Sequence, residues 1–149
     1  MFELTSKNPD QITITTKTTT INFDIATATI DADLAVGQIQ GPGEFEIGDV
    51  TIVAVDLGQG RTAYNAEIGG AHVAIIGNYE ENLDNLGIVD ILCTSSVKAI
   101  REIEPKMVVA MGNVDGMVAD LKVTARSEKK FKVKKLDDLP ATLEVVALS

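Results

Sequence analysis

The sequence predicts a β-rich domain of the α/β class. Short apolar runs with period-two alternation outnumber helix-like patterns. A strand, a helix and a second strand follow one another over residues 88–111, the pattern of a right-handed parallel crossover. No internal repeat or linker interrupts the 149 residues, and a chain of this length buries a core without disulfides or metal. We therefore expect one domain over residues 1–149.

The N-terminal segment is predicted to be threonine-rich β-structure. Ile12 and Ile14 lie at even positions, whereas the next apolar residues begin at Ile21 and lie at odd positions. Because a strand has a period of two, the change of parity requires a turn between them. The sequence therefore predicts a β-hairpin over residues 11–25, with its turn within residues 16–20.

A glycine–proline–glycine turn at residues 41–43 separates two further strands. Glycine supplies backbone angles that other residues avoid, and proline fixes its own φ and cannot donate a ladder hydrogen bond. A short strand is expected before the turn, at residues 32–36. After it, Phe45 and Ile47 share one strand face and glutamates take the other. A Gly-Asp pair then predicts a second turn into an apolar strand over residues 51–56.

The middle and the C-terminal half contain the remaining elements. Gly69-Gly70 predicts a two-residue hairpin turn between strands at residues 63–68 and 72–76. Ser95 or Ser96 is expected to cap a helix that Pro105 ends, between apolar strands at 88–94 and 106–111. Weaker patterns predict helices at 80–86 and 114–121 and strands at 130–136 and 143–148.

The predicted core consists of apolar residues on the inward phase of these elements or within strands buried on both faces. Its members are Phe45, Ile47, Ile52, Val53, Val55, Ile75, Ile91, Ile100, Val108 and Val109.

Charge and composition limit the expected partners and compartment. The formal net charge is -9, which disfavours a nucleic-acid-coating protein. No long uncharged apolar run is present, so no membrane association is expected, and no cofactor is expected either. The absence of a secretory signal and the single cysteine, Cys93, favour the cytoplasm. The segment Arg126 to Lys135 has a net charge of +5, and its alternation places lysines on the solvent face of a strand.

Several motifs resemble, in sequence and order, the metallo-β-lactamase fold superfamily. They are ADLAV, GPGEFEIGDVTI, IVDILCTS, IREIEPKMVVAMG and LDDLPATLEVVAL. The branch that they resemble is the small bacterial metal-dependent hydrolases similar to L-ascorbate-6-phosphate lactonase. The resemblance covers about residues 12–148 and implies an αββα sandwich, here trimmed and with few helices. None of these motifs is catalytic, so they indicate fold and ancestry.

The family's metal site is not matched by this chain. The resemblance implies a His-x-His-x-Asp-His cluster, a bridging aspartate and further histidines that hold metal ions and activate water. The cluster would follow residues 32–36, where only residues 37–40 precede the glycine–proline–glycine turn. Asn78 stands at the position of the aspartate and Gly112 at that of a later histidine. We therefore expect a non-catalytic pseudoenzyme that serves as a binding or structural module.

The sequence leaves two other functions open. A residual hydrolase would use an atypical metal site of carboxylates with Asn78. A nucleotide binder would use the strand and loop at residues 52–62, where Asp56, Gly58 and Gly60 resemble the first phosphate loop of the actin and sugar-kinase class. That class also needs a second lobe, for which the chain leaves no room.

The remaining candidate side chains favour structural roles. His72, the one histidine of the sequence, follows the Gly69-Gly70 turn, away from every expected ligand position. Cys93 lies in an apolar strand with no evident histidine partner, which is typical of a small buried residue. Because few helices are predicted to cover the sheets, we expect a homodimer or higher oligomer. An unidentified protein partner is the other possible cover for an exposed sheet face.

Overall fold

Two β-sheets face each other in the computed structural model, which describes residues 1–32, 38–40, 42–112 and 114–148. The strands, numbered along the chain, are β1 Phe2–Thr5, β2 Gln11–Thr15, β3 Thr20–Asp24, β4 Thr29–Ala32, β5 Gln38–Gln40, β6 Gly43–Ile47, β7 Val50–Asp56, β8 Thr62–Ile68, β9 Ala71–Gly77, β10 Ile91–Thr94, β11 Met107–Ala110, β12 Ala125–Glu128, β13 Phe131–Val133 and β14 Glu144–Leu148.

The two sheets differ in size and in strand direction. The smaller sheet has the order β13-β1-β2-β3-β4-β5, and all its strands are antiparallel to their neighbours. The larger sheet has the order β12-β14-β11-β10-β9-β8-β7-β6. Strands β9 to β12 and β14 of the larger sheet are parallel, whereas β6, β7 and β8 are joined by antiparallel hairpins. Parallel strands require crossover connections, and these carry the helices.

The core has two layers, one on each face of the larger sheet. The first fills the space between the sheets, and Ile12, Phe23 and Tyr64 are among its members. The second lies between the larger sheet and the helices α1 Val97–Ile103 and α2 Val114–Leu121, and a short 3-10 turn at Leu83–Leu86 also packs there. This arrangement confirms the predicted β-rich α/β class with sheets face to face. In the described part of the chain, no helix is long and apolar enough to cross a membrane.

The trimming of the fold falls on the smaller sheet. Both α-helices pack against the larger sheet, and the smaller sheet turns a polar face outward. On that face Thr13 Oγ1 contacts Asn22 Oδ1 at 3.0 Å, and Gln11 Nε2 donates to Asp24 Oδ2 at 3.0 Å. Cross-strand polar pairs of this kind stabilise a sheet face that stays in water.

The strongest local signals in the sequence are confirmed. Strands β2 and β3 pair as a hairpin, closed by a hydrogen bond from Thr16 N to Thr19 O, and β8 and β9 pair across Gly69-Gly70. Strands β10 and β11 are parallel, with α1 between them, and Ser96 caps α1 by accepting from Ala99 N at 3.1 Å. The basic segment also follows its predicted alternation, with Val133 buried and the flanking lysines exposed.

Other predictions require correction. Val53 was expected in the core but is 40% exposed, because no described helix covers the outer face of β7. Phe45 and Val55 are only partly buried. The strand predicted from residue 88 begins at Ile91, and Ile88 is 69% exposed.

Further differences concern strand limits and strands that the sequence analysis missed. The helix expected at residues 80–86 is the 3-10 turn Leu83–Leu86, and the strand expected at 130–136 is limited to β13. Strands β1 and β12 were not predicted. The strand expected at 32–36 begins where β4 ends, and residues 33–37 and 41 lie outside the described residues.

Candidate functional site

The positions at which the sequence analysis expected the family's metal ligands, Asn78 and Gly112, lie at one edge of the larger sheet. Asn78 follows β9 and Gly112 follows β11, with β10 between these parallel strands. Two interstrand spacings separate β9 from β11, a distance of about 10 Å. Asp56 ends β7, which runs in the same direction as β9 because both are antiparallel to β8. We call this the carboxyl-terminal edge, the part of an open parallel sheet where ligands usually bind.

Apolar residues from the smaller sheet and its loops close this edge. Gly77 ends β9 with φ 61°, and a Cβ added there would lie 2.8 Å from Ile25 Cγ2. Ile25 follows β3 and is only 6% exposed, so it fills the space above Gly77. At Gly112 an added Cβ would contact Pro9 Cβ at 3.5 Å. The two strand ends that matter for the family's chemistry therefore face an isoleucine and a proline.

The hydroxyl groups at the edge hold the fold together. Thr94 Oγ1 donates to Gly77 O at 2.6 Å and accepts from Ser96 N at 3.0 Å. Ser96 Oγ donates to Glu80 Oε2 at 2.6 Å while it caps α1. These bonds tie the ends of β9 and β10 to the start of α1. The two hydroxyls are buried and already paired, so neither is free to act as a nucleophile or a metal ligand.

A shallow groove next to Gly112 has the wrong chemistry for a dication. Its volume is about 280 Å³. It is lined by Ser6, Lys7, Asn8, Pro9, Ala110, Gly112, Val114, Ala147 and Leu148. This lining includes one cationic side chain and neither a carboxylate nor an imidazole. Zinc in proteins is held by cysteine, histidine and carboxylate side chains, usually four in a structural site and three in a catalytic one.

The donor set of the described residues does not fit a zinc site. Asn78 is exposed and offers only an amide, and Gly112 has no side chain. No group of three or more His, Cys, Asp or Glu side chains converges within residues 1–32, 38–40, 42–112 and 114–148. The undescribed residues 33–37, 41, 113 and 149 contain no histidine, because the one histidine of the sequence is His72.

His72 lies at the opposite edge of the larger sheet. It is near the start of β9, so six residue steps, or about 20 Å, separate it from Asn78. Its backbone N–H donates to Asp90 Oδ2 at 2.8 Å, and Lys106 Nζ lies 3.7 Å from Asp90 Oδ1. These contacts link the starts of β9, β10 and β11, which is a structural role.

Cys93 is fully buried within β10, and burial raises the pKa of its thiol. A thiol that resists ionisation is a poor nucleophile.

The candidate phosphate loop is closed by its own hydrogen bonds. Asp56 Oδ1 accepts from Gly58 N at 2.8 Å, and Leu57 N donates to Arg61 O at 2.8 Å. Asn82 Nδ2 donates to Leu57 O at 2.8 Å and fixes the loop against the 3-10 turn. Phosphate loops present unpaired backbone N–H groups and a carboxylate to the ligand. Here the carboxylate and the Gly58 amide are paired with each other, although the structure does bring this loop to the carboxyl-terminal edge.

Tyr64 is a buried polar residue that the sequence analysis missed. Its side chain is 1% exposed, and its ring lies 5.4 Å from that of Phe23. Among the described residues its hydroxyl has no hydrogen-bond partner. Burial, together with the nearby Tyr79 and Asp24, raises the pKa of Tyr64 to about 12. Buried hydroxyls are normally paired, so this one is an energetic cost to the fold.

The residues that close the edge gave little signal in the sequence. Ile25 was recognised as part of a hairpin, but its contact with Gly77 joins two sheets and cannot be inferred from alternation. Pro9 lies in a loop whose position depends on the whole fold. The Ser96 cap was predicted from its place before an apolar helix, whereas its bond to Glu80 was not.

Comparisons with known proteins agree with this architecture. The structure matches that of a candidate Zn-dependent hydrolase of the metallo-β-lactamase superfamily from Thermotoga maritima, with a TM-score of 0.76 and 15% sequence identity. The alignment covers 99% of each chain. The chain therefore has the metallo-β-lactamase fold, as the sequence motifs indicated. No protein-family model matches the chain, and no curated protein matches it in sequence.

A second solved structure, a point mutant of the β-hydroxylase CmlA, is less similar. Its TM-score is 0.43 at 11% identity, and the alignment covers 72% of this chain and 31% of that one.

Proposed function

We propose that this chain is a non-catalytic protein of metallo-β-lactamase fold that serves as a binding or structural module. The observation that carries the proposal is the closed carboxyl-terminal edge. Ile25 packs over Gly77 and Pro9 packs against Gly112, where the family's chemistry would need ligands and an open cleft. The hydroxyls of Thr94 and Ser96 are used to hold strands and a helix together.

Electrostatics at this edge support the same conclusion. A hydrolytic site of this type gathers imidazoles and carboxylates around a dication, which lowers the pKa of a bound water. Here the nearest groove contains Lys7, a cation that would repel a metal ion. Glu80 is the one carboxylate bonded into the edge network, and it accepts from Ser96.

The proposal predicts that zinc neither binds tightly nor supports turnover. The purified protein is incubated with excess Zn²⁺, dialysed, and analysed for metal by elemental analysis. Hydrolysis of a lactone, a phosphodiester and a β-lactam is measured on the same sample. We expect less than about a tenth of an equivalent of zinc and no turnover above buffer, because too few inner-shell ligands converge.

Two substitutions identify the origin of any metal that is found. Asn78→Ala removes the polar side chain at the carboxyl-terminal edge, and His72→Ala removes the only imidazole at the opposite edge. Near-equimolar zinc that is lost with Asn78→Ala would support the residual hydrolase and overturn the pseudoenzyme. Zinc lost only with His72→Ala would indicate a surface site unrelated to the family's chemistry.

A thermal-shift measurement with ATP and Mg²⁺ tests nucleotide binding by the loop at Asp56, Gly58 and Gly60. We expect no change in the melting temperature.

A further inference from the structure

One side of the molecule has an unusual concentration of positive charge. Six of the ten residues from Arg126 to Lys135 are cationic and one is acidic, in a chain whose net charge is -9. The segment forms the last strand of each sheet on this side, β12 in the larger and β13 in the smaller. We call the exposed flank of β13, together with the bend that precedes it, the basic edge.

The lysines of the basic edge are regularly spaced on one face. Lys130, Lys132 and Lys134 are exposed, while Phe131 and Val133 between them point into the core between the sheets. Lys132 lies at the centre of the three-residue strand β13, and Lys130 and Lys134 flank the strand directly. The alternation therefore concentrates positive charge on the exposed side of this short segment.

Few acidic groups of the chain neutralise this row. Lys132 Nζ lies 3.5 Å from Glu3 Oε1 on β1, and both side chains are partly exposed to solvent. No ion pair joins Lys130 or Lys134 to an acidic side chain of the described residues. Exposed ion pairs such as Lys132–Glu3 contribute little free energy, so a carboxylate of a partner can replace Glu3 beside Lys132.

The backbone of β13 is also open to a partner. Strand β13 pairs with β1 on one side and is the end of its sheet, so its other side faces no strand within the described residues. A groove of about 470 Å³ runs alongside, lined by Arg126, Glu128, Lys129, Lys130, Phe131 and Lys132. The Arg126 guanidinium lies 5.8 Å from the centre of the Phe131 ring and forms one wall of this groove. An open strand edge beside a groove is the geometry to which an extended peptide adds as a new strand.

We propose that the basic edge binds an acidic, extended segment of another protein, which adds to β13 as a further strand. The carboxylates of the segment, placed at every second residue, pair with Lys130, Lys132 and Lys134. Backbone hydrogen bonds to β13 fix its register. This inference rests on the proposed role as a binding module and identifies the surface used. Nucleic acid fits less well, because stacking on bases needs open aromatic faces, whereas Phe131 is partly buried against the core and the Arg126 guanidinium lies over its ring.

Lysines on a free edge also protect sheets from aggregation, and the experiment must separate the two roles. The probe is a fluorescein-labelled peptide, Thr-Glu-Val-Glu-Val-Glu-Thr, titrated with the full chain and followed by fluorescence anisotropy. We expect saturable binding that weakens when salt is raised, because exposed charges are screened. A peptide with lysine in place of glutamate should not bind, and neither should the acidic peptide with N-methylated valines, which cannot form ladder hydrogen bonds.

Two variants of equal net charge locate the site. Lys130→Glu with Lys134→Glu removes the ends of the row and keeps the Lys132–Glu3 pair. Lys7→Glu with Lys98→Glu makes the same change in charge at exposed lysines elsewhere. We expect the first variant to bind at least about tenfold more weakly, since two of the three ion pairs are reversed, and the control to bind as the parent does. Circular dichroism confirms that both variants are folded.

Each other outcome overturns the proposal. Absence of binding would leave the lysines a protective role only. Equal binding of the N-methylated peptide would exclude strand addition, and stronger binding of an oligothymidylate would favour nucleic acid. Displacement of the peptide by an excess of the Lys130→Glu, Lys134→Glu variant, lost when Glu44→Lys and Glu46→Lys are added to that variant, would identify a second copy as the occupant. Zinc content is measured on the same preparation, so failure of this inference and failure of the proposed function are distinguishable.

Discussion

Tyr64 carries a buried hydroxyl group that reduces the stability of the fold. Its buried hydroxyl has no partner among the described residues, and such a group costs about 1–3 kcal/mol. Tyr64→Phe keeps the ring and its contact with Phe23 and removes the hydroxyl. We expect the free energy of unfolding to rise by about 1 kcal/mol in urea denaturation at neutral pH.

The control for this prediction is Tyr79→Phe, which removes a partly exposed hydroxyl and should leave stability unchanged. A loss of stability in Tyr64→Phe would mean that the hydroxyl has a partner.

The pH dependence of stability gives a second measurement at Tyr64. Because the pKa of Tyr64 is raised from 10.0 to about 12 in the folded state, the stability that its neutral form contributes is complete below pH 10. That contribution is lost as the pH rises through about 12, and Tyr64→Phe should lose less stability over this range.

At the level of single residues, the sequence singled out Asn78 and Gly112, but it did not indicate which side chains pack beside the ends of their strands. Asn78 and Gly112 could be found because each follows an apolar strand whose end is clear in the sequence. Ile25 and Pro9, which cover those strand ends, belong to distant parts of the chain. A contact between sheets depends on their relative position, and the local alternation of a strand does not contain that information.

Among the elements, the turn between β6 and β7 connects the two sheets. Asp49 Oδ1 in this turn accepts from Thr16 Oγ1 at 2.7 Å and from Thr18 Oγ1 at 3.0 Å in the turn between β2 and β3. Asp49→Ala removes both bonds and keeps the turn's glycine. We expect a loss of about 1 kcal/mol in the free energy of unfolding at neutral pH, because the bonds are charge-assisted but exposed.

The stability that the hydrogen bonds of Asp49 contribute should decrease at acid pH. The hydrogen bond from Thr16, with a further one from Thr18, holds the pKa of Asp49 below its ordinary value of 3.8. A depressed pKa contributes stability above the unfolded value and loses it as the pH falls through the folded value. The difference between the parent and Asp49→Ala should therefore shrink below about pH 4. Asp31→Ala, which removes an exposed carboxyl from β4 of the smaller sheet, serves as the control, and an equal loss there would contradict the proposed link.

Elements with a strong local pattern were predicted well, and those formed by pairing were not. The hairpins and the parallel crossover have clear alternation, glycine turns or a capping serine. Strand β12 has no apolar alternation and exists because it pairs with β14. In β7, Ile52, Val53 and Val55 were all predicted to lie in the core, yet Val53 faces solvent because the helices cover other strands of its sheet. The layer that covers a face is a property of the whole fold.

On the scale of the whole molecule, self-association stays a prediction. The structure indicates a different surface for it than the uncovered sheet that the sequence suggested. The outer face of the smaller sheet is polar and needs no cover. Among the residues whose burial the structure describes, the large exposed apolar side chains are Val53 and Ile88, which line one cavity of about 190 Å³ on the larger sheet. Burying them against an identical copy removes apolar surface from water. We expect light scattering at tens of micromolar to give a mass above 15.9 kDa.

Substitution at this patch tests the interface directly. Ile88→Asp should return the mass to that of one chain, because a charge would have to be buried between the copies. Lys98→Asp, on the exposed face of α1, should leave the mass unchanged. A parent protein that scatters as a single chain would contradict the prediction.

The pairing of β1 with β13 has a consequence for how the protein is made. Residues Phe2 to Leu4 pair with Phe131 to Val133, whereas β1 to β5 are otherwise joined by consecutive hairpins. During synthesis those hairpins leave the ribosome before β13, and local contacts form faster than distant ones. The free side of β1 has no partner until β13 has been translated. Until then the nascent chain carries an open strand edge, and that edge is where mispairing or chaperone binding is expected.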